Sequence, residues 1–142
     1  MEDEPADTGP IEFPSPAVPL AVAVGVDLLE RERVLTTYAQ FGERFLQRIF
    51  TEVELEQAGR RVERLVGRFA AKEACSKALG TGIGMSAAWR DIEILRLPGG
   101  KPHVRLAGRA LERARELGLT AFDVSISDTA THVIAVVVAV RG

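Results

Sequence analysis

The stretch from Arg60 to Gly84, RRVERLVGRFAAKEACSKALGTGIG, constrains this chain more than any other. At 100° per residue, Val62, Leu65, Val66, Phe69 and Ala70 fall on one side of a helix predicted from about Arg60 to Leu79. Glu73 lands in the middle of that apolar side, one turn past Phe69, and Lys77 follows one turn later. An ionised carboxylate among apolar groups loses hydration that some partner must replace. That partner is Lys77, a metal ion, or both. A Glu–Lys pair at i, i+4 on an exposed helix is worth only ~0.3–0.5 kcal/mol. This is too small to account for a carboxylate in that position, which favours a metal ligand.

The elements around this helix follow from periodicity and turn chemistry. Residues 1–19 hold five of the seven prolines and read as a flexible acidic tail, so the expected domain spans 20–142. Leu20 to Val26 is a continuous apolar run that predicts a buried strand ending at Asp27. Asp27 lies three residues before Glu30, so it reads either as a ligand at a strand end or as a helix cap. Helical periodicity runs from Glu30 to about Tyr38 and from Glu43 to Phe50, and Thr51 with Glu54 forms a capping box for a short helix through Gln57. After the long helix, Asp91 to Leu97 and His103 to Leu106 form a hairpin around Pro98-Gly99-Gly100-Lys101-Pro102. A second amphipathic helix is predicted from Ala107 to Leu117. Phe122, Val124 and Ile126 then mark a half-buried strand, and His132 to Val140 a final strand that is buried on both faces or covered by another subunit. The order gives a single α+β domain with a mainly antiparallel sheet and a long central helix.

Charge becomes informative once it is divided along the chain. The first twenty residues carry five acids and no Lys or Arg, while the remainder carries 18 Lys and Arg against 15 acids. Eight of the arginines lie between Arg31 and Arg68, which suits an acidic protein partner or phosphates, and equally suits a solvated helical surface. No apolar run is long enough to cross a bilayer and the first residues lack a signal-peptide pattern, so the expected location is cytoplasmic. The lone Cys75 excludes an internal disulfide and reads as a packing residue.

The glycine cluster GTGIG, Gly80 to Gly84, follows a helix, whereas the glycines of dinucleotide folds and P-loops precede one. Two roles remain open for it, close backbone approach to a ligand and a helix C-cap. Asp27, the Lys72-Glu73 pair with Lys77, and this loop are the features left after the packing residues are removed. Two carboxylates with lysines suit a divalent cation and a polyphosphate. Of only three lysines in the chain, two are in this helix.

Gly25-Val26-Asp27 and Phe69-Ala70-Ala71-Lys72-Glu73-Ala74-Cys75-Ser76-Lys77 resemble the two signature stretches of the holo-[acyl-carrier-protein] synthases, small 4′-phosphopantetheinyl transferases. The likeness continues through Phe45 to Thr51, the GTGIG loop, Trp89 to Ile94, Gly100-Lys101-Pro102 and Val124 to Ser127, and covers Val24 to Val140. The resemblance implies the 4′-phosphopantetheinyl transferase fold and transfer of phosphopantetheine from coenzyme A to a serine of an apo acyl carrier protein, with release of 3′,5′-ADP. It further implies that Asp27 and Glu73 hold Mg²⁺, and that catalysis rests on Asp27, Glu73 and Lys77. Lys72, Ser76, Lys77, Gly80, Gly82, Asp128 and Thr129 would meet coenzyme A, with Lys72 and Lys77 facing its phosphates. Arg33, Arg44 and Arg48 would grip an acidic carrier protein. A homotrimer with sites between subunits completes the picture, with a place in fatty acid biosynthesis or, for a different carrier protein, in polyketide synthesis. One departure stands out: Ser125-Ile126-Ser127-Asp128-Thr129 places Asp128 where the family has a histidine. The alternative is therefore a non-catalytic coenzyme A or carrier-protein binding module weakened by Asp128.

Overall fold

The computed structural model describes residues 9, 10, 12, 21–84 and 88–142, so the tail expected over 1–19 lies almost wholly outside the described residues. The element order is β1 (Val22–Glu30), α1 (Arg31–Phe41), α2 (Glu43–Ile49), α3 (Glu52–Gln57) and α4 (Val62–Ala78), followed by a 3₁₀ turn at Trp89–Asp91. Then come β2 (Ile92–Arg96), β3 (Pro102–Leu106), α5 (Gly108–Glu116), β4 (Leu119–Asp128) and β5 (His132–Arg141). All strand pairs are antiparallel, in a three-stranded sheet ordered β1-β5-β4 and a separate β2–β3 hairpin. Lys101 at the hairpin turn reaches Asp123 on β4 at 2.7 Å.

Local chemistry sets most of these boundaries. Thr51 and Glu54 close a reciprocal capping box, each side chain answering the other's backbone N–H, and so start α3. Gly42 separates α1 from α2 and ends α1 by donating to the Tyr38 carbonyl at 2.7 Å. The first strand does not stop at Val26, as the apolar run suggested. It continues to Glu30 because its register with β5 is unbroken from Val22 opposite Val140 to Glu30 opposite His132. Asp27 therefore lies inside β1, opposite the small Ala135. It caps nothing, since the N-cap of α1 is Glu30 and makes no side-chain cap bond.

The long helix packs across β1 and β5. Ala70, Ala71, Ala74 and Cys75 have no exposure, and these small side chains bring the helix close to the sheet. Val133, Ala135, Val137 and Ala139 face it from β5. Each fully buried valine contributes roughly 1.5–3 kcal/mol relative to solvent exposure. Gly25 marks the tightest point: a Cβ placed there would sit 1.8 Å from the Ala74 carbonyl oxygen and 2.7 Å from the Ala78 nitrogen. Only a glycine lets β1 lie directly on the α4 backbone.

Alternation along β1 turns Ala23, Gly25, Asp27 and Leu29 toward α4 and leaves Val22, Val24, Val26 and Leu28 on the outer face. Ile134, Val138 and Val140 on β5 extend this apolar outer face. The closing strand is thus covered on one side within the chain and open on the other, so this chain alone does not bury both of its faces.

Candidate active site

Two elements bring the acidic centre together. Asp27 projects from β1 on the helix side, with its side chain only 16% exposed, and Lys77 on α4 meets its Oδ1 at 3.2 Å. The same ammonium donates to the Val26 carbonyl at 3.0 Å, so Lys77 spans the strand backbone and the carboxylate. Glu73, one turn earlier, is half-buried. Burial, and then the like charge of Asp27, push its carboxyl above the ordinary range, while Lys77 pulls it partly back. The two carboxylates are therefore electrostatic neighbours, with one lysine between strand and helix to balance them.

Lys72 requires a correction. Although adjacent to Glu73, it points the other way, has no exposure, and cannot face a phosphate. Its ammonium donates to Glu54 Oε1 at 2.6 Å, to the Trp89 carbonyl at 3.0 Å and to the Ile92 carbonyl. Burial lowers its proton affinity and Glu54 raises it again. Neighbours on a helix point 100° apart, and α3 and β2 cover the direction Lys72 takes. Ser76 is likewise buried, its hydroxyl donating to the Glu73 carbonyl at 2.7 Å, so it serves the last turn of α4 rather than an open surface.

The glycine loop closes that helix. Gly80, Thr81 and Gly82 donate to the carbonyls of Lys77, Ser76 and Ser76 at 2.9, 3.3 and 3.3 Å. Gly80, Gly82 and Gly84 have φ of 79°, 68° and 103°, which glycine adopts without strain. Nothing lies within 4 Å of a Cβ placed at Gly82 or Gly84, so the loop is the C-cap of α4 with open space over its backbone.

At the β4–β5 tip, Thr129 Oγ1 accepts from the nitrogens of Thr131 and His132 at 3.3 and 3.0 Å. The tip docks on α1, since the Arg31 nitrogen donates to the Thr131 carbonyl at 2.9 Å. The Arg31 guanidinium stands 3.6 Å from Asp128. Nothing local in the sequence links Arg31 to a residue almost a hundred positions away, so this contact left no signal there.

Arg33 on α1 and Arg44 and Arg48 on α2 line a groove of about 570 Å³. Its apolar wall includes Phe41, Phe45, Phe69 and Trp89. Trp89 stacks on Phe69 with ring centres 4.8 Å apart, and Phe69 meets Phe45 at 6.3 Å. None of these three guanidinium groups pairs with an acid among the described residues. Cys75 is buried, with its thiol pushed up to about 12 by desolvation, which suits packing rather than nucleophilic work.

The donor set at Asp27 and Glu73 consists of oxygens only, beside an ammonium, and fits a hard cation that completes its shell with water and phosphate oxygens. The site supplies two carboxylates, and no group of three or more His, Cys, Asp or Glu that could hold a metal ion gathers anywhere among the described residues. No described helix is long and apolar enough to cross a membrane.

Residues 23–137 match the family model of the 4′-phosphopantetheinyl transferase superfamily. Among similar proteins, the holo-[acyl-carrier-protein] synthase of Methylobacterium radiotolerans is 48% identical over 101 residues, 69% of this chain and 74% of that protein. That of Bradyrhizobium diazoefficiens is 47% identical over 120 residues, 77% of this chain and 86% of the relative. The fold superposes on the Neisseria meningitidis holo-[acyl-carrier-protein] synthase with a TM-score of 0.77 at 34% identity, covering 84% of this chain and 98% of the other. It also superposes on the Helicobacter pylori enzyme in complex with coenzyme A, with a TM-score of 0.74 at 33% identity over 82% and 98% of the two chains.

Proposed function

This chain belongs to the 4′-phosphopantetheinyl transferase superfamily, among the holo-[acyl-carrier-protein] synthases, and from that premise we propose how its own residues move phosphopantetheine from coenzyme A to a serine of an apo acyl carrier protein. The observation that carries the proposal is the meeting of Asp27, Glu73 and Lys77, brought from β1 and α4 by the close approach at Gly25. Asp27 and Glu73 are the residues that would hold Mg²⁺, which when bound neutralises pyrophosphate charge and polarises the phosphoryl group under attack. Lys77, half-exposed beside Asp27, offers its ammonium to a phosphate oxygen. Glu73, which α4 brings to this centre beside Asp27 and Lys77, takes the proton from the serine hydroxyl. The serine oxygen forms its bond to the β-phosphorus as the bond to the departing 3′,5′-ADP breaks. Preorganised charge of this kind supplies most of the rate in phosphoryl transfer.

Coenzyme A runs over the open backbone of Gly80 and Gly82 and past the tip carrying Asp128 and Thr129. The anion at Asp128 is met by Arg31, which supports a coenzyme-competent site despite the absent histidine. Arg33, Arg44 and Arg48 hold the acidic carrier protein, with the aromatic groove receiving its apolar contacts. The same proposal makes the enzyme a cytoplasmic homotrimer of fatty acid biosynthesis. The apolar outer face of β1 and β5 supports the assembly, and a lone cysteine suits a reducing compartment.

The test incubates the protein with coenzyme A, an apo acyl carrier protein, and Mg²⁺ or EDTA, and follows the phosphopantetheine mass addition. Asp27→Ala and Glu73→Ala should each abolish transfer while circular dichroism stays native. Unfolding of both variants would undo their assignment, and coenzyme binding without transfer by the wild type would favour the binding module.

A further inference from the structure

Lys72 stands at the centre of a buried clasp that the transfer chemistry leaves unused. An ammonium has three donors, and here all three are spent, on Glu54 Oε1, the Trp89 carbonyl and the Ile92 carbonyl. Glu54 is equally committed, since its Oε1 also accepts from the Thr51 nitrogen at 2.9 Å and its Oε2 from the Ile94 nitrogen at 3.1 Å. Both side chains have no exposure. One ion pair thus ties α3, α4 and the segment running from the 3₁₀ turn into β2.

Burying two charges is costly, and a well-packed apolar pair of similar volume is often as stable or more so. The clasp therefore calls for a role in placement beyond stability, and Trp89 shows what is placed. Its carbonyl is held by Lys72, its ring stacks on Phe69 at 4.8 Å, and that ring walls the groove carrying Arg33, Arg44 and Arg48. Resting on the reading of this groove as the carrier-protein site, we propose that Lys72 is a positioning residue for the carrier protein, acting through Trp89, and that it makes no contact with coenzyme A. Two adjacent residues of one helix then divide the work. Glu73 serves the reacting phosphate and Lys72 sets the wall against which the protein substrate docks.

Trp89 is the sole tryptophan, so its fluorescence reports the wall directly. In Lys72→Met, Trp89 emission should move to longer wavelength, the KM for apo acyl carrier protein should rise at least about fivefold, and the KM for coenzyme A should stay within about twofold. A purely structural role would lower thermal stability without separating the two KM values. Should Lys72→Met fail to fold, Glu54→Gln/Lys72→Met, which leaves no unpaired buried charge, is judged by the same three readouts. A raised KM for coenzyme A with an unchanged carrier KM would overturn the proposal, as would unchanged Trp89 emission. Arg44→Glu/Arg48→Glu separates the two levels of inference. If it leaves the carrier KM unchanged, the groove reading is wrong; if it raises that KM while Lys72→Met does not, the groove stands and Lys72 has no part in it.

Discussion

The Gly25→Ala variant tests the geometry of the site with a single methyl group. The added Cβ would lie 1.8 Å from the Ala74 carbonyl oxygen, and the obstructing atoms are helix backbone, which cannot swing aside. Reaching an ordinary carbon–oxygen contact of ~3.3 Å requires β1 and α4 to part by roughly 1.5 Å. Overpacking of this kind typically costs ~1–3 kcal/mol. At about 4 °C per kcal/mol for a domain of this size, the melting temperature should fall by about 4–12 °C. The displacement also carries Asp27, two residues along the same strand face, away from Glu73. A misplacement of about 1 Å at reacting groups can cost ~10²-fold in rate. Melting followed by circular dichroism, and transfer rates measured where both proteins are fully folded, separate the two effects. A variant that melts within about 1 °C of wild type and keeps kcat/KM within about twofold would show that strand and helix do not meet as described.

Glu73→Gln should abolish transfer yet raise the melting temperature of the EDTA-treated protein at neutral pH. Because burial and Asp27 raise the folded-state proton affinity of Glu73, its favourable contribution is full below the ordinary carboxylate value and lost as pH rises through the raised one. The gap between variant and wild type should therefore close in acid, and a variant melting lower at neutral pH would contradict this sign. Cys75 should resist thiol reagents in the native protein and react once denatured, as a buried thiol held up to about 12 must; native labelling would refute its burial. Asp128→His should change stability little, because a pair with Arg31 at 3.6 Å whose carboxylate is 65% exposed is worth at most about 1 kcal/mol. It should hold or lower the KM for coenzyme A, and a clear increase would give Asp128 a positive role of its own.

Periodicity and turn chemistry made most of the fold legible. The Thr51–Glu54 capping box, the long helix and the alternation of Phe122, Val124 and Ile126 stand as their local patterns required. Errors arose where distant residues decide the outcome. Asp27 looked like a strand end because a charge closes an apolar run, yet pairing with β5 carries the strand past it. Lys72 and Glu73 were legible as chemistry but not as directions, since a helical wheel does not say which side α3 will cover. Glu54 was legible as a cap, while its second task, forty residues from the Ile94 nitrogen it accepts, left no local trace.

The pairing of β1 with β5 also has a consequence for the order in which the site assembles. Among the described strands, β5 is the only hydrogen-bonded neighbour of β1, and it pairs Asp27 with Ala135, at opposite ends of the folded chain. During synthesis the strand bearing Asp27 emerges first and then waits, with its backbone unpaired on both edges, while all three elements of the Lys72 clasp are completed. Closing so long a loop carries an entropic cost that the local helices do not face. Asp27 can therefore be fixed beside α4 only once the last strand has paired with β1, after every element of the Lys72 clasp has left the ribosome.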